Sequence, residues 1–221
     1  MRQLILFLLL AGTFTACTPE APAEEGTAET SSDVAVTTDE NEQEAAWTDI
    51  TSDEARIATA LLAAPEASRS GAKVIGYNAA GELVTLREGT NEFICLADDP
   101  GKDGFNAACY HRDLEPFMAR GRELKAEGKT PPEIDAIREA EVKDKTLAMA
   151  PTGATLHIYY GPEVRYDPTT GEVEQAKYRY VVYMPYATAA STGLPESPVA
   201  PNHPWIMDPG THRAHIMISP L

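Results

Sequence analysis

The chain has 221 residues, with 34 Asp and Glu against 18 Lys and Arg, a formal net charge of −16, and three cysteines. An acidic balance of this size disfavours binding to nucleic acid, whose phosphates select basic surfaces. The charge is uneven: no Lys or Arg lies between Arg2 and Arg56, twelve acidic residues fall between positions 20 and 54, and from Ala55 onward 22 acidic residues face 17 basic ones, a net of −5.

Met1 and Arg2 precede an apolar run over residues 4–10, followed by small residues up to Cys17. That run is too short to span a bilayer and reads as an export signal over residues 1–16. The residues Phe14-Thr15-Ala16-Cys17 resemble a bacterial lipoprotein processing site, which implies lipid attachment at Cys17 and a partner in the membrane. Thr18 after the cysteine resembles the pattern for outer-membrane sorting, so the expected location is the cell envelope, facing the periplasm. The alternative is an ordinary secretory signal that leaves Cys17 as a spare thiol. Residues 17–46 are rich in Glu, Asp, Thr, Ala and Pro and hold no aromatic residue. Such a segment buries too little apolar surface to offset its ordering entropy, so it reads as a disordered acidic tether. Residues 47–221 then suit a single domain able to bury a core.

Within that domain, Thr51 and Glu54 form a capping pattern ahead of a helix with Ile57, Leu61 and Ala64 on one face, stopped by Pro65. Residues 74–77 and 83–87, joined across Asn78 to Gly81, read as a hairpin, and residues 93–96 as a further strand. Asp113 is the expected cap of a helix carrying Leu114, Phe117, Met118, Gly121 and Leu124, with Gly128 as its stop. Thr130-Pro131-Pro132-Glu133 starts another helix, with proline in the first turn where its missing N–H costs nothing. Residues 155–160 alternate as a strand, and Asp167 to Gly171 make a turn. Residues 177–186 carry the strongest strand pattern in the chain. Residues 194–202 read as loop, and residues 214–218 as a final strand inside the sheet. The fold class predicted is α+β, an antiparallel sheet packed with two or three helices and one disulfide-closed loop.

With Cys17 assigned to the signal, Cys95 and Cys109 remain as an even pair, with 13 residues between them. A bond between them closes a loop rich in Asp, Gly and Pro and removes roughly 3 kcal/mol of unfolded-chain entropy. The competing reading is a metal site using Cys95, Cys109 and His111, but C-x13-C-x-H does not fit the compact zinc spacings. The run Leu86-Arg87-Glu88-Gly89-Thr90-Asn91, three further residues, Cys95, a polar loop, the second cysteine and a helix with Phe117-Met118 resembles a group of uncharacterised exported bacterial proteins that share LREGTN-x3-C. The likeness covers about residues 57–161. It implies kinship without a specific function, and where the group carries Trp-Met this chain has Phe117-Met118.

Chemistry is thinly indicated. His203, Met207, His212, His215 and Met217 fall within residues 203–217, and imidazole with thioether suits copper. The three-residue spacing of His212 and His215 near a strand points the two rings to opposite faces. Asp98, Asp99, Asp103 and Asn106 offer oxygen ligands without the spacing of a calcium loop. Ser191 and Ser197 lack the glycines of a nucleophile turn, and no phosphate-binding glycine loop, dinucleotide motif or H-E-x-x-H occurs, so no cofactor is expected. Seven of nine tyrosines lie between Tyr159 and Tyr186, either lining a ligand groove or serving as good strand formers. The leading expectation is a non-catalytic envelope lipoprotein that binds a small ligand or protein partner through the sheet or the cysteine loop. Copper-type metal handling and an enzyme of unrecognised type are the alternatives.

Overall fold

The computed structural model describes residues 46–78, 80–149 and 151–220. The export signal, Cys17 and the tether up to residue 45 lie outside the described residues. Strand β1 (Thr48–Asp49) is followed by helix α1 (Asp53–Leu62), whose cap is Ser52, one residue later than the sequence pattern predicts. The Ser52 hydroxyl accepts the Ala55 N–H at 3.1 Å, satisfying a donor that the first helical turn leaves free. The buried face of α1 is Ala55, Thr59 and Ala60, continuing into Ala63 and Ala64, whereas Ile57 and Leu61 flank it half-buried. Sequence periodicity picks out the larger side chains, but a helix lying close on a sheet needs the smaller ones beneath it.

A short helix α2 (Glu66–Arg69) leads to β2 (Lys73–Tyr77) and β3 (Leu83–Arg87), which pair antiparallel as the predicted hairpin. Strand β4 (Phe93–Leu96) then pairs parallel on the other side of β2, so the chain must cross beneath the start of β2 to reach it. The LREGTN run builds that crossing. Leu86 packs in the core, and the Arg87 guanidinium donates to the Ala72 carbonyl and, at 2.6 Å, to that of Arg69. Gly89 passes Lys73 so closely that a Cβ would sit 2.5 Å from the Lys73 nitrogen. The Thr90 and Asn91 N–H groups both donate to the Gly71 carbonyl, and the Asn91 side chain donates to Ser68 O at 2.7 Å. The motif is a backbone crossover held by hydrogen bonds.

Strand β5 (Phe105–His111) corrects the position of the second cysteine. Cys109 stands in the middle of this strand, directly opposite Cys95 on β4, so the disulfide ties two neighbouring strands with Cα atoms 4.0 Å apart. The loop proper is residues 97–104. The strand escapes sequence reading because Asn106, Ala107 and Ala108 are weak strand formers, and Ala107 is small because α1 packs over it. The Cys109 sulfur lies 3.2 Å from the Ala60 carbonyl oxygen.

After a 3-10 turn (Arg112–Leu114), capped by the His111 ring and not by Asp113, comes α3 (Glu115–Ala126). Gly128, at φ +82°, reverses its end, with Lys129 N–H donating to Leu124 O and Gly128 N–H to Lys125 O. Helix α4 (Pro131–Lys143) begins at Thr130, whose N–H and hydroxyl both donate to the Glu133 carboxylate, holding that carboxyl below its usual range. There follow β6 (Thr155–Gly161), β7 (Arg165–Tyr166), β8 (Lys177–Tyr183), α5 (Ala189–Thr192), β9 (Trp205–Met207) and β10 (His215–Ile218). Strand β8 ends three residues before Tyr186, since Pro185 has no N–H to give the ladder and Tyr186 turns to φ 64°.

The described residues form an α+β fold with an eight-stranded sheet in the order β3-β2-β4-β5-β6-β8-β10-β9, antiparallel except at β2-β4, and β1 pairs separately with β7. One row across it, Val74, Cys95, Cys109, His157 and Tyr180, faces α1 or continues beyond it. The next row, Ile94, Tyr110, Leu156, Val181, Met217 and Trp205, faces Leu114 and Phe117 on the opposite side. Each face therefore carries its own core, one built on small residues and the disulfide, the other on α3. Among the described residues no helix is long and apolar enough to cross a membrane.

Candidate functional site

Three segments far apart in sequence meet at the end of the sheet beside β3. The hairpin turn is set by Asn78, whose side-chain oxygen accepts the N–H groups of Ala80 and Glu82, both at 2.9 Å. The 97–104 loop is set by Asp98, which accepts Asn106 N–H at 2.8 Å, and by Asp99, which accepts Gly101 N–H at 3.1 Å. The third segment is the last two turns of α3. Between them runs a groove of about 530 Å³ with Leu83, Tyr77, Ala119 and Ala126 among its walls. A second hollow of about 290 Å³ opens under the 97–104 loop, and the two share Tyr77 and Asp99.

Asp99 is the junction. The Lys125 ammonium stands 3.5 Å from its Oδ2 on the groove side, and that of Lys102 stands 3.7 Å away on the loop side. Two cations thus share one carboxylate. The other charges are already committed. Arg122 Nη2 donates to Glu115 Oε1 at 2.6 Å and its Nη1 to the Tyr110 hydroxyl at 3.0 Å, while that hydroxyl donates to Glu115 Oε2 at 2.6 Å. Glu123 is held by Arg120 at 3.2 Å, and Glu82 accepts from Asn78 Nδ2 at 2.9 Å. Burial pushes the Asp98 carboxyl up, and burial followed by the bond to Glu115 pushes the Tyr110 hydroxyl well above its ordinary value. Burial, and then Lys125 beside it, lowers the Lys102 ammonium. Asp98 and Lys102 border the smaller hollow, whereas Tyr110 is buried in the core under α3 and lines neither hollow.

The tyrosines do not assemble as one groove. Tyr159 and Tyr183 are buried in the two cores, and Tyr159 uses its hydroxyl to accept Val173 N–H at 3.0 Å. Only Tyr178 and Tyr180, stacked at 6.3 Å with His157 edge-on to Tyr180 at 5.5 Å, border a smaller hollow of about 320 Å³ beside the end of α1. Arg69, on its rim, is spent on the carbonyls of Leu62 and Ala64.

The C-terminal histidines are spread out. His203 Nδ1 lies 2.7 Å from Pro204 O, and His215 Nδ1 lies 2.8 Å from Arg213 O. Met207 stands opposite His215 across β9 and β10, and Met217 is a core residue. His212 is 1 % exposed, packed edge-on to Phe117 at 5.6 Å. Among the described residues, no three His, Cys, Asp or Glu side chains converge to hold a metal ion. Among the described residues, neither ring nitrogen of His212 has a hydrogen-bond partner. Its burial, with Arg138 next in effect, lowers its pKa below 6.5, and Glu139, Arg213 and Asp135 are the other charged groups around it.

Because the folded form binds that proton less readily than the unfolded chain, stability falls as pH drops below about 6.5. Replacing His212 by Leu removes a buried polar group without partners and is expected to raise stability at pH 7 by about 1 kcal/mol. His212→Leu should also shrink the loss of melting temperature between pH 7 and pH 5, and an unchanged pH profile would contradict this assignment. His157, likewise lowered by burial, retains part of the acid sensitivity in that variant.

No protein-family model, curated protein or solved structure matches the chain.

Proposed function

We propose that the chain is a lipid-anchored envelope protein whose folded part is a non-catalytic binding module, with the groove between α3 and the β2–β3 hairpin as its working surface. The observation that carries this reading is the junction at Asp99. Two adjoining hollows meet there beside two ammonium groups, with apolar walls on one side. Binding is favoured over catalysis because the other polar groups of the groove are tied to structural partners: Asp98 to Asn106, Arg122 to Glu115 and Glu123 to Arg120. The resemblance to exported proteins sharing LREGTN-x3-C supports an envelope location, and the acidic tether after Cys17 supports display away from the membrane surface.

The location is tested by Cys17→Ala. The variant should move from the membrane to the soluble fraction, and continued membrane retention would refute lipid attachment at Cys17. The site is tested by hydrogen exchange of the full chain with and without a small-molecule extract of the envelope. Protection should rise in the Gly81–Leu83 turn and in α3 around Ala119 and Ala126. Protection confined to β6 and β8 around His157, Tyr178 and Tyr180 would move the site to the tyrosine hollow.

A further inference from the structure

We infer that the hollow at the end of α1 is a saccharide site, with a sugar ring laid against the half-buried tyrosines of β8 and its hydroxyls bonded to His157, Glu66 and Arg69. This is independent of the α3–hairpin groove, with which the hollow shares no lining residue. The hollow exists because α1 is short. The helix covers Cys95 and Cys109 and stops at Leu62, so the same row of the sheet continues uncovered into His157 and Tyr180. Pairing sets Tyr178 beside Tyr159 and Tyr180 beside His157, which puts all four side chains on that one face. The step from helix end to sheet is the hollow of about 320 Å³, with Leu62 and Pro65 in its wall and Tyr178, Tyr180 and His157 in its floor. That volume is within the range of natural ligand pockets.

The floor is ordered by its own contacts. Tyr178 stacks on Tyr159 at 4.6 Å and lies within 16° of the plane of Tyr180, while the His157 ring has Tyr180 edge-on at 5.5 Å and Phe93 at 6.1 Å. Aromatic rings carry a negative face, on which the slightly positive C–H groups of a sugar ring pack. The rim supplies polar partners. Arg69 is fixed through Nε and Nη2 to the carbonyls of Ala64 and Leu62, which leaves Nη1 beside the hollow, and the Glu66 carboxylate is exposed there. The half-buried His157 ring makes no hydrogen bond among the described residues. The charges select a neutral ligand: Arg69 is opposed by Glu66 on the rim and by Glu172 near Tyr178. A cation would stand against the guanidinium, and an anion against the two carboxylates. A purely apolar ligand would cut the His157 nitrogens off from water without giving them partners. A saccharide has an apolar ring face and hydroxyls that both donate and accept, and so meets all three conditions.

The test uses the full chain, with cellotriose, chitotriose and tetramethylammonium as probes, followed by two-dimensional NMR of the amide resonances. At least one trisaccharide should give saturable shifts at His157, Tyr178 and Tyr180 and bind about tenfold more tightly than tetramethylammonium. Tyr180→Ala should weaken that binding about tenfold by removing a stacking face. Glu66→Ala, at an exposed position that leaves the fold intact, should weaken it as well. Tyr186→Ala, which removes an exposed tyrosine outside the hollow, should leave it unchanged. Tetramethylammonium binding at these residues as tightly as the sugars would overturn the saccharide assignment in favour of an aromatic cation cage. The absence of saturable shifts from both trisaccharides, or shifts confined to other parts of the sheet, would overturn the site itself. Glucose and N-acetylglucosamine separate the two sources of such a ligand, since affinity equal to that of the trisaccharide names a free sugar and affinity that rises with chain length names a glycan.

Discussion

Removing residues 214–221 is expected to abolish cooperative folding. Strand β10 is hydrogen-bonded on both sides, to β8 through His215–Tyr183 and Ile218–Tyr180 and to β9 through Ile216–Ile206. It contributes Met217 to the core beneath α3 and leaves Ile206, fully buried, without its partner when it is lost. Two ladders and a row of apolar side chains go together. Their loss is comparable to the whole stability of a domain of this size, about 5–15 kcal/mol. Circular dichroism melting of the truncated chain should show no cooperative transition. A soluble truncated protein with a sharp melt would place β10 outside the essential core.

The second large effect is at the disulfide. Cys95→Ser and Cys95→Ser/Cys109→Ser should each lower stability by about 3 kcal/mol, the entropy that closing the intervening loop removes from the unfolded chain. Both sulfur positions are fully buried under α1, so new hydroxyls there add a desolvation cost of about 1 kcal/mol or more where they lack partners. Urea unfolding monitored by fluorescence reads this as a lower midpoint, common to the single and double variants. A large difference between the two, in particular a double variant much less stable than the single one, would argue against a bond, because it would show the Cys109 sulfur contributing independently of Cys95.

Much of the fold was legible because local pattern and global need agree. The alternation through β6 and β8, the proline start of α4 and the glycine end of α3 each carry a local physical reason that tertiary structure leaves in place. Reading failed where packing decides. Strand β5 is written in small residues because a helix lies on it, and the true inner face of α1 is alanine and threonine for the same reason. Strand β9 has only three residues, next to a proline, too few to show a strand pattern, and its pairing depends on β10. The LREGTN run was legible as a motif, but not as a crossover, since the clash that forces glycine at position 89 involves Lys73, sixteen residues earlier.

The candidate site was the least legible part. Asp98, Asp99 and Asp103 drew attention as oxygen donors, but nothing in their spacing announces that Lys125 of α3 arrives beside Asp99, or that Leu83 faces Ala119 across a groove. The tyrosine cluster, so prominent as a string, is divided by strand alternation between two opposite cores and a small hollow. The histidines from 203 to 215 are near neighbours in sequence and go separate ways in space, one into the core under Phe117 and another onto β10. Convergence across elements is a property of topology, and a linear pattern carries no record of it.

The most direct measurement on the central claim is a native mass spectrum of the full chain purified from membranes without chelator. The result predicted is a lipidated polypeptide with Cys95 and Cys109 oxidised and a small organic adduct. A bare polypeptide, or a bound metal lost when His203, His212 or His215 is changed, would contradict it.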